Sequence, residues 1–371
     1  MTVAPPGWRA GPGTEPAALI REARRRQHRR WLATGLAMAV LTGGAAAVIA
    51  GVGGGSHPRP PVAHGPAGPH ARRAAPAHTA GLVTVSQTSL PGNDLSLAVG
   101  YRAVWVPGVG VTYEINDVSG RIVRTISTPG TLETCPCSSG VAATGAGAVW
   151  VTHGCHGIYR IDPHSGRVTA SLRAPGAGGD IAVAGGLVWV TSDRGLLRIQ
   201  PRTGQIIGKP VPVGAGTGLV IPGAGALWVT SNNTDDSSTI YRVDPATGAV
   251  RTLANPIVTD VQAVGAGSLW TSQVLRVDPA TGKTTASDFL GASQLTFWKG
   301  SAWALTQQRS LTFLRIDPAT NQVTGAPVPF GKPIPGIYGD STAIAPGPTG
   351  LWVLDSDRNL LFHLATRPAR P

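Results

Sequence analysis

The sequence predicts an all-β fold, a seven-bladed β-propeller of four-stranded blades, and three observations carry the prediction. A nine-residue motif recurs as "RIDPHSGRV" at Arg160–Val168, "RVDPATGAV" at Arg242–Val250, "RVDPATGKT" at Arg276–Thr284 and "RIDPATNQV" at Arg315–Val323. A tryptophan in a short apolar run recurs seven times, at Trp105, Trp150, Trp189, Trp228, Trp270, Trp303 and Trp352. These tryptophans lie 45, 39, 39, 42, 33 and 49 residues apart, close to the period of a four-stranded propeller blade. Composition agrees, since 50 Gly and 32 Pro with only 13% charged residues suit many short strands joined by turns.

Each unit reads as four strands. Strand A is a short run such as "DIAVAG", strand B carries the tryptophan, strand C ends in "YRIDP" or its equivalent, and strand D follows the glycine. Asp-Pro-x-Thr-Gly is turn chemistry: Asp caps the turn, Pro presets φ and Gly accepts positive φ where the chain doubles back. Asp162, Asp244, Asp278 and Asp317 are therefore read as turn formers, and the tryptophans as filling between blades. The seventh unit has "STAIAP", "GLWVLD" and "NLLFHLA" and then ends without a strand D. "LVTVSQTSLPGND" at Leu82–Asp94 parallels "RVTASLRAPGAGGD" at Arg167–Asp180, so residues 82–88 are expected to pair near Leu360–Leu364 and close the ring.

The net charge of +12 is concentrated at the N-terminus. Residues 1–81 hold ten Arg and two Glu, whereas residues 82–371 hold 21 Lys and Arg against 17 Asp and Glu. "REARRRQHRR" precedes 22 uncharged residues, Trp31–Val52, long enough to cross a bilayer as a helix. The expected organisation is a basic cytoplasmic tail (1–30), a transmembrane anchor (31–52), a disordered Gly/Pro/Ala/His linker (53–81) and an external propeller (82–371). The alternative is a signal sequence cleaved near Val48, Ile49 and Ala50, which would leave a secreted protein. His57, His64, His70 and His78 read as linker composition, and a propeller balance of +4 gives nucleic-acid binding little support.

The "W-V-T … R-I-D-P-x-T-G" pattern over residues 82–371 resembles the bacterial propellers with YVTN-type or virginiamycin B lyase-like repeats. The resemblance implies the propeller. In the lyase branch it would imply a His and Glu constellation for metal-assisted elimination, but Glu114, Glu133, His153, His156, His164 and His363 do not form that pattern, so the activity is not carried over.

Antiparallel strands place the D–A and B–C connections on one face, here called upper, and the A–B and C–D turns on the lower face. Variable loops on a rigid scaffold are where ligands bind. Asp94, Asp180, Asp260 and Asp340 each precede a strand A, with Ser139, Thr217 and Gln294 near that place in the other blades. They would either ring the channel mouth and attract a cation or cap backbone amides. Other ligand-binding candidates are Asp235 and Asp236 in "SNNTDDSST", Arg194 and Arg358 in the B–C loops of blades 3 and 7, and Tyr338 in "PFGKPIPGIYGD".

Cys135 and Cys137 share one upper loop of blade 2, and Cys155 lies in the other. Export favours a disulfide from Cys155 to one of them, leaving His153 and His156 at the rim. A zinc or copper site of Cys135, Cys137, Cys155, His153 and His156 is the less favoured alternative. No nucleophile elbow, Walker loop or dinucleotide fingerprint is present. The expected function is a non-catalytic binding or sensing module for a protein, glycan or small ligand, with no cofactor. The alternative is an exported metal-assisted lyase or hydrolase using the upper-face Cys, His or Asp groups.

Overall fold

The computed structural model describes residues 82–92, 96–128, 140–153, 157–174, 176–214, 217–232, 238–253, 260–271, 276–285, 292–306, 311–329 and 342–366. The tail, anchor and linker expected in residues 1–81 lie outside the described residues. Among the described residues no helix is long and apolar enough to cross a membrane.

The chain folds into seven antiparallel sheets, each one blade. Blade 1 comprises Ala98–Gly100, Ala103–Pro107, Val111–Asn116 and Ile122–Ser127, and blade 2 comprises Val141–Gly145, Ala148–His153, Gly157–Ile161 and Val168–Arg173. Blade 3 comprises Ala177–Ala184, Leu187–Ser192 and Gly195–Ile199. Blade 4 is Thr217–Gly223, Ala226–Asn232, Ser238–Val243 and Val250–Thr252, and blade 5 is Val261–Gly265, Ser268–Thr271, Arg276–Val277 and Thr284–Thr285. Blade 6 is Gln294–Trp298, Ser301–Thr306, Thr312–Asp317 and Gln322–Pro329. Blade 7 takes strands A to C from Thr342–Pro346, Leu351–Asp355 and Leu360–Thr366, and its fourth strand is Leu82–Ser89. That strand runs antiparallel to strand C, with Leu82 opposite Thr366 and Ser89 opposite Leu360.

Blade 3 departs from the expected four strands. Its fourth position is held only by two isolated bridges, Leu196 with Val211 and Ile199 with Ile206. Pro210 and Pro212 flank Val211, and proline has no N–H to donate to a ladder.

Two turn types repeat along the lower face. In six blades the A–B turn is two residues long, and both take positive φ, as in Ala146–Gly147, Ala224–Gly225 and Ala266–Gly267. Such turns match the twist of the flanking strands. The C–D turns share one set of bonds. Asp244 Oδ1 accepts from Ala246 N and Thr247 N, both at 2.9 Å, and Gly248 N donates to Asp244 O at 2.8 Å. Asp162 and Asp278 repeat the arrangement, and Asp317 repeats most of it. Blade 1 builds the same turn with Asn116, whose Oδ1 accepts from Val118 N and Ser119 N. Blade 3 keeps only its backbone part, from Gln200 to Gly204.

Seven apolar clusters fill the seven gaps between blades. One strand-B tryptophan sits in each, none more than 6% exposed. Trp150, for example, packs on Ile181, Val188 and Leu197 of blade 3, and Trp352 packs on Leu97, Val104 and Ile115 of blade 1. Five of these indoles donate to the carbonyl five residues earlier, at the end of strand A: Trp105, Trp189, Trp228, Trp270 and Trp303, at 3.0–3.3 Å. In blade 7 the carbonyl five residues before Trp352, that of Gly347, accepts instead from Trp298 of blade 6 at 2.9 Å. The Trp352 ring stacks on His363, with centroids 4.2 Å apart and planes 3° apart.

A chain beginning at Pro91 is expected to melt at least about 5 °C below one beginning at Gly81, because it exposes the edge of Leu360–Thr366. Calorimetry of the two compares them directly, and equal melting temperatures would contradict the role given to Leu82–Ser89. Close packing gives a second expectation. A methyl at Gly265 would overlap the Phe297 ring of blade 6, so Gly265→Ala should cost about 1–3 kcal/mol. Gly267→Ala meets no neighbouring atom within 4 Å and should cost only its backbone strain, about 1 kcal/mol. Denaturant unfolding of both variants measures the difference.

Candidate functional site

The strand directions put the D–A and B–C connections on the upper face. These connections differ from blade to blade: the D–A link is 13 residues from blade 1 to blade 2 but three from blade 2 to blade 3. The seven A strands surround a central cavity of about 710 Å³. Each A strand pairs on one side only, with its own B strand, so its other edge is left to the channel. The wall is made of small and apolar side chains with a few polar ones, among them Ser96, Thr144, Gln262, Gln294 and Thr296. Asp180 is the single ionisable side chain in that lining among the described residues.

Asp180 lies inside its strand rather than ahead of it, because strand A of blade 3 starts at Ala177 and its register shifts between Ala177 and Ile181. Its carboxylate accepts from Ile181 N at 3.0 Å and from Val220 N of blade 4 at 2.7 Å. Burial pushes its pKa up to about 6, and the two amide bonds act against that shift. Asp180 thus acts across the gap between blades 3 and 4.

Every other gap carries a comparable side-chain tie to backbone. Thr144 Oγ1 donates to Val99 O at 3.0 Å between blades 2 and 1, and Thr152 Oγ1 donates to Gly179 O at 3.1 Å between blades 2 and 3. Val261 N donates to Thr230 Oγ1 at 3.2 Å between blades 5 and 4, and Leu295 N to Gln262 Oε1 at 3.4 Å between blades 6 and 5. Trp298 reaches Gly347 O at 2.9 Å between blades 6 and 7, and Thr349 Oγ1 reaches Asp117 O at 3.1 Å between blades 7 and 1. Sequence reading passed over these residues, although the threonine two places after Trp150 and Trp228 was a usable signal.

Asp260 stands at the start of strand A in blade 5 and is only 8% exposed. Among the described residues its Oδ1 has no hydrogen-bond partner, and burial raises its pKa. Arg194 and the adjacent Asp193 are exposed in the B–C turn of blade 3, where Arg194 N donates to Ser192 Oγ at 3.2 Å. Arg358 lies 3.2 Å from the buried carboxylate of Asp355 and donates to it. Burial raises the Asp355 pKa and the Arg358 charge opposes the shift.

His153 is not a rim residue. It is 2% exposed, edge-on to Tyr159 at 6.0 Å, with Nε2 2.9 Å from Thr128 Oγ1 of blade 1. Desolvation lowers its pKa to about 4. Asp94, Asp235, Asp236, Tyr338, Asp340, Cys135, Cys137, Cys155 and His156 lie outside the described residues. Among the described residues no three His, Cys, Asp or Glu side chains gather as a metal site.

The fold and its channel define the chain as a seven-bladed β-propeller. Solved structures share the fold at low sequence identity. BamB from Moraxella catarrhalis is 10% identical with a TM-score of 0.50, over 79% of this chain and 100% of that one. The Pan2 WD40 domain of Neurospora crassa is 10% identical with a TM-score of 0.57, over 80% and 98%. A chain of a Mitotic Checkpoint Complex structure is 14% identical with a TM-score of 0.58, over 83% and 99%. No family model and no curated protein sequence matches the chain.

His153 supplies a pH expectation. Its folded pKa of about 4 lies below the usual 6.5, so between those values the unfolded chain takes up a proton that the folded chain does not. This contribution is present above pH 6.5 and falls by about 3 kcal/mol as pH drops toward 4. His153→Gln should flatten the stability profile across that window. Denaturant melts of both proteins at a series of pH values measure the slopes, and identical slopes would contradict the assignment.

Proposed function

We propose that this chain is a membrane-anchored, extracytoplasmic propeller that binds a protein, glycan or small ligand through its upper face, without catalysis. The carrying observation is the contrast between the two faces. Six of the A–B turns below are two residues long, whereas the connections above differ in length from one blade to the next. Repetition below serves folding, and variation above, on a scaffold held by seven packed gaps, suits recognition. The uncharged Trp31–Val52 run after "REARRRQHRR" supports the anchor with the N-terminus in the cytoplasm, and a cleaved signal would give a secreted form of the same module. The repeat pattern supports kinship with the YVTN-type and virginiamycin B lyase-like propellers. A protein partner fits the similarity to a chain of the Mitotic Checkpoint Complex, itself a protein assembly by name.

A photoreactive residue at Arg194, in the upper face, should cross-link a defined envelope component in intact cells, while one at Thr247, in a lower turn, should not capture that component. Capture from Thr247 alone, or from neither site, would overturn the reading. Stoichiometric, tightly held metal in the purified protein would also overturn it, in favour of a metal-assisted enzyme.

A further inference from the structure

The lower face differs from the rest of the propeller in charge. Thirteen of the 21 Lys and Arg of residues 82–371 lie in the lower turns or within three positions of them, against six of the 17 Asp and Glu, a balance of +7. The remaining eight cations and eleven acids give −3. The turn carboxylates of Asp162, Asp244 and Asp278 are drawn onto their own backbone amides. Arg121, Arg167, Arg202 and Lys283 are exposed. Among the described residues the one ion pair at this end joins Arg124 to Glu114 at 2.9 Å.

Beside these cations stands a ring of half-exposed aliphatics. Ile122, Val168, Ile206, Val250 and Val323 open the outermost strand segment of blades 1, 2, 3, 4 and 6, each 36–41% exposed. Five such side chains over five blades, with Tyr101 and Val118 added only in blade 1, are too dispersed to form the apolar core of a protein interface, but cations interleaved with aliphatics around the ring suit a broad anionic plane.

The strand that completes blade 7 starts on this side: Leu82 pairs with Thr366 at the lower end of the blade, and Ser89 pairs with Leu360 beside the upper B–C turn.

We infer that the lower face is a docking surface for anionic phospholipid headgroups of the extracytoplasmic leaflet, which leaves the upper face pointing away from the membrane. The inference rests on the anchored reading proposed above. Each basic residue held near an anionic bilayer adds attraction that ionic strength screens, and the aliphatic ring would settle at the headgroup level.

The test uses the full chain in nanodiscs of phosphatidylcholine alone or with phosphatidylglycerol, read by amide hydrogen exchange. Residues 116–124 and 199–206 should exchange at least about fivefold more slowly with phosphatidylglycerol, and about 0.5 M salt should remove the difference. The combined variant R121Q/R167Q/R202Q/K283Q should lose the slowing while keeping the melting temperature of the parent. Equal exchange in the two lipids, or slowing confined to upper loops such as residues 193–195, would overturn the inference.

Extraction of cell membranes with alkaline carbonate tests the anchor separately. If the chain is released, the anchored reading fails, and the same exchange experiment with added vesicles then decides the surface alone: slowing at residues 116–124 and 199–206 supports it, and none overturns it.

Discussion

The A strands sit at the centre of the structure with only one edge paired. Each is hydrogen-bonded to its own B strand and to no neighbouring A strand, so seven sheets meet around the channel without a continuous ladder. Buried backbone groups left in that state are costly. Side chains answer part of that constraint: Thr144, Thr152, Asp180, Thr230 and Gln262 each bond to A-strand backbone across one gap, while Trp298 and Thr349 tie the two gaps beside blade 7 through turn carbonyls. The tryptophan layers behind these bonds set the blade spacing, and glycine at the end of strand A lets the next blade approach, as at Gly265 against Phe297. The wall therefore has little polar chemistry to spare. Asp180, its one ionisable side chain among the described residues, already accepts two amides.

Much of this was legible because it repeats. Tryptophan marks strand B because one large ring must fill each gap, and Asp-Pro-x-Thr-Gly marks the C–D hairpin because Asp and Gly meet fixed backbone demands there. Asn116 escaped the motif while making the same bonds, since its Oδ1 accepts amide hydrogens as an aspartate does. The irregular fourth strand of blade 3 was written in Pro210 and Pro212 but hidden by the strand-like residues around them. The cross-gap bonds were least legible. They join residues far apart in the chain, and Thr, Asp, Gln and Trp all serve the same purpose, so no single residue type announces it.

The candidate site divides along the same line. Aspartates that looked equivalent by position, each ahead of a strand A, have separate surroundings: Asp180 is held by amides from two blades, whereas Asp260 keeps a buried oxygen with no partner among the described residues. His153 read as a rim residue because it was assigned to the upper B–C loop of blade 2, yet it ends the tryptophan strand and its ring turns inward to Thr128. Sequence position gives a residue's height along the blade. The direction of its side chain depends on what the neighbouring blade offers, which local pattern does not encode.

Blade 7 is assembled from opposite ends of the propeller sequence, Leu82–Ser89 alongside Leu360–Thr366. A pull on the chain ahead of Leu82, directed along that strand and resisted by the ring, would load the ladder in shear. The paired residues from Leu82 to Ser89 would share the force together, where a sideways pull would open them one at a time from Leu82. The strand that completes the seventh sheet is thus also placed as a mechanical joint, strongest when tension runs straight down the chain.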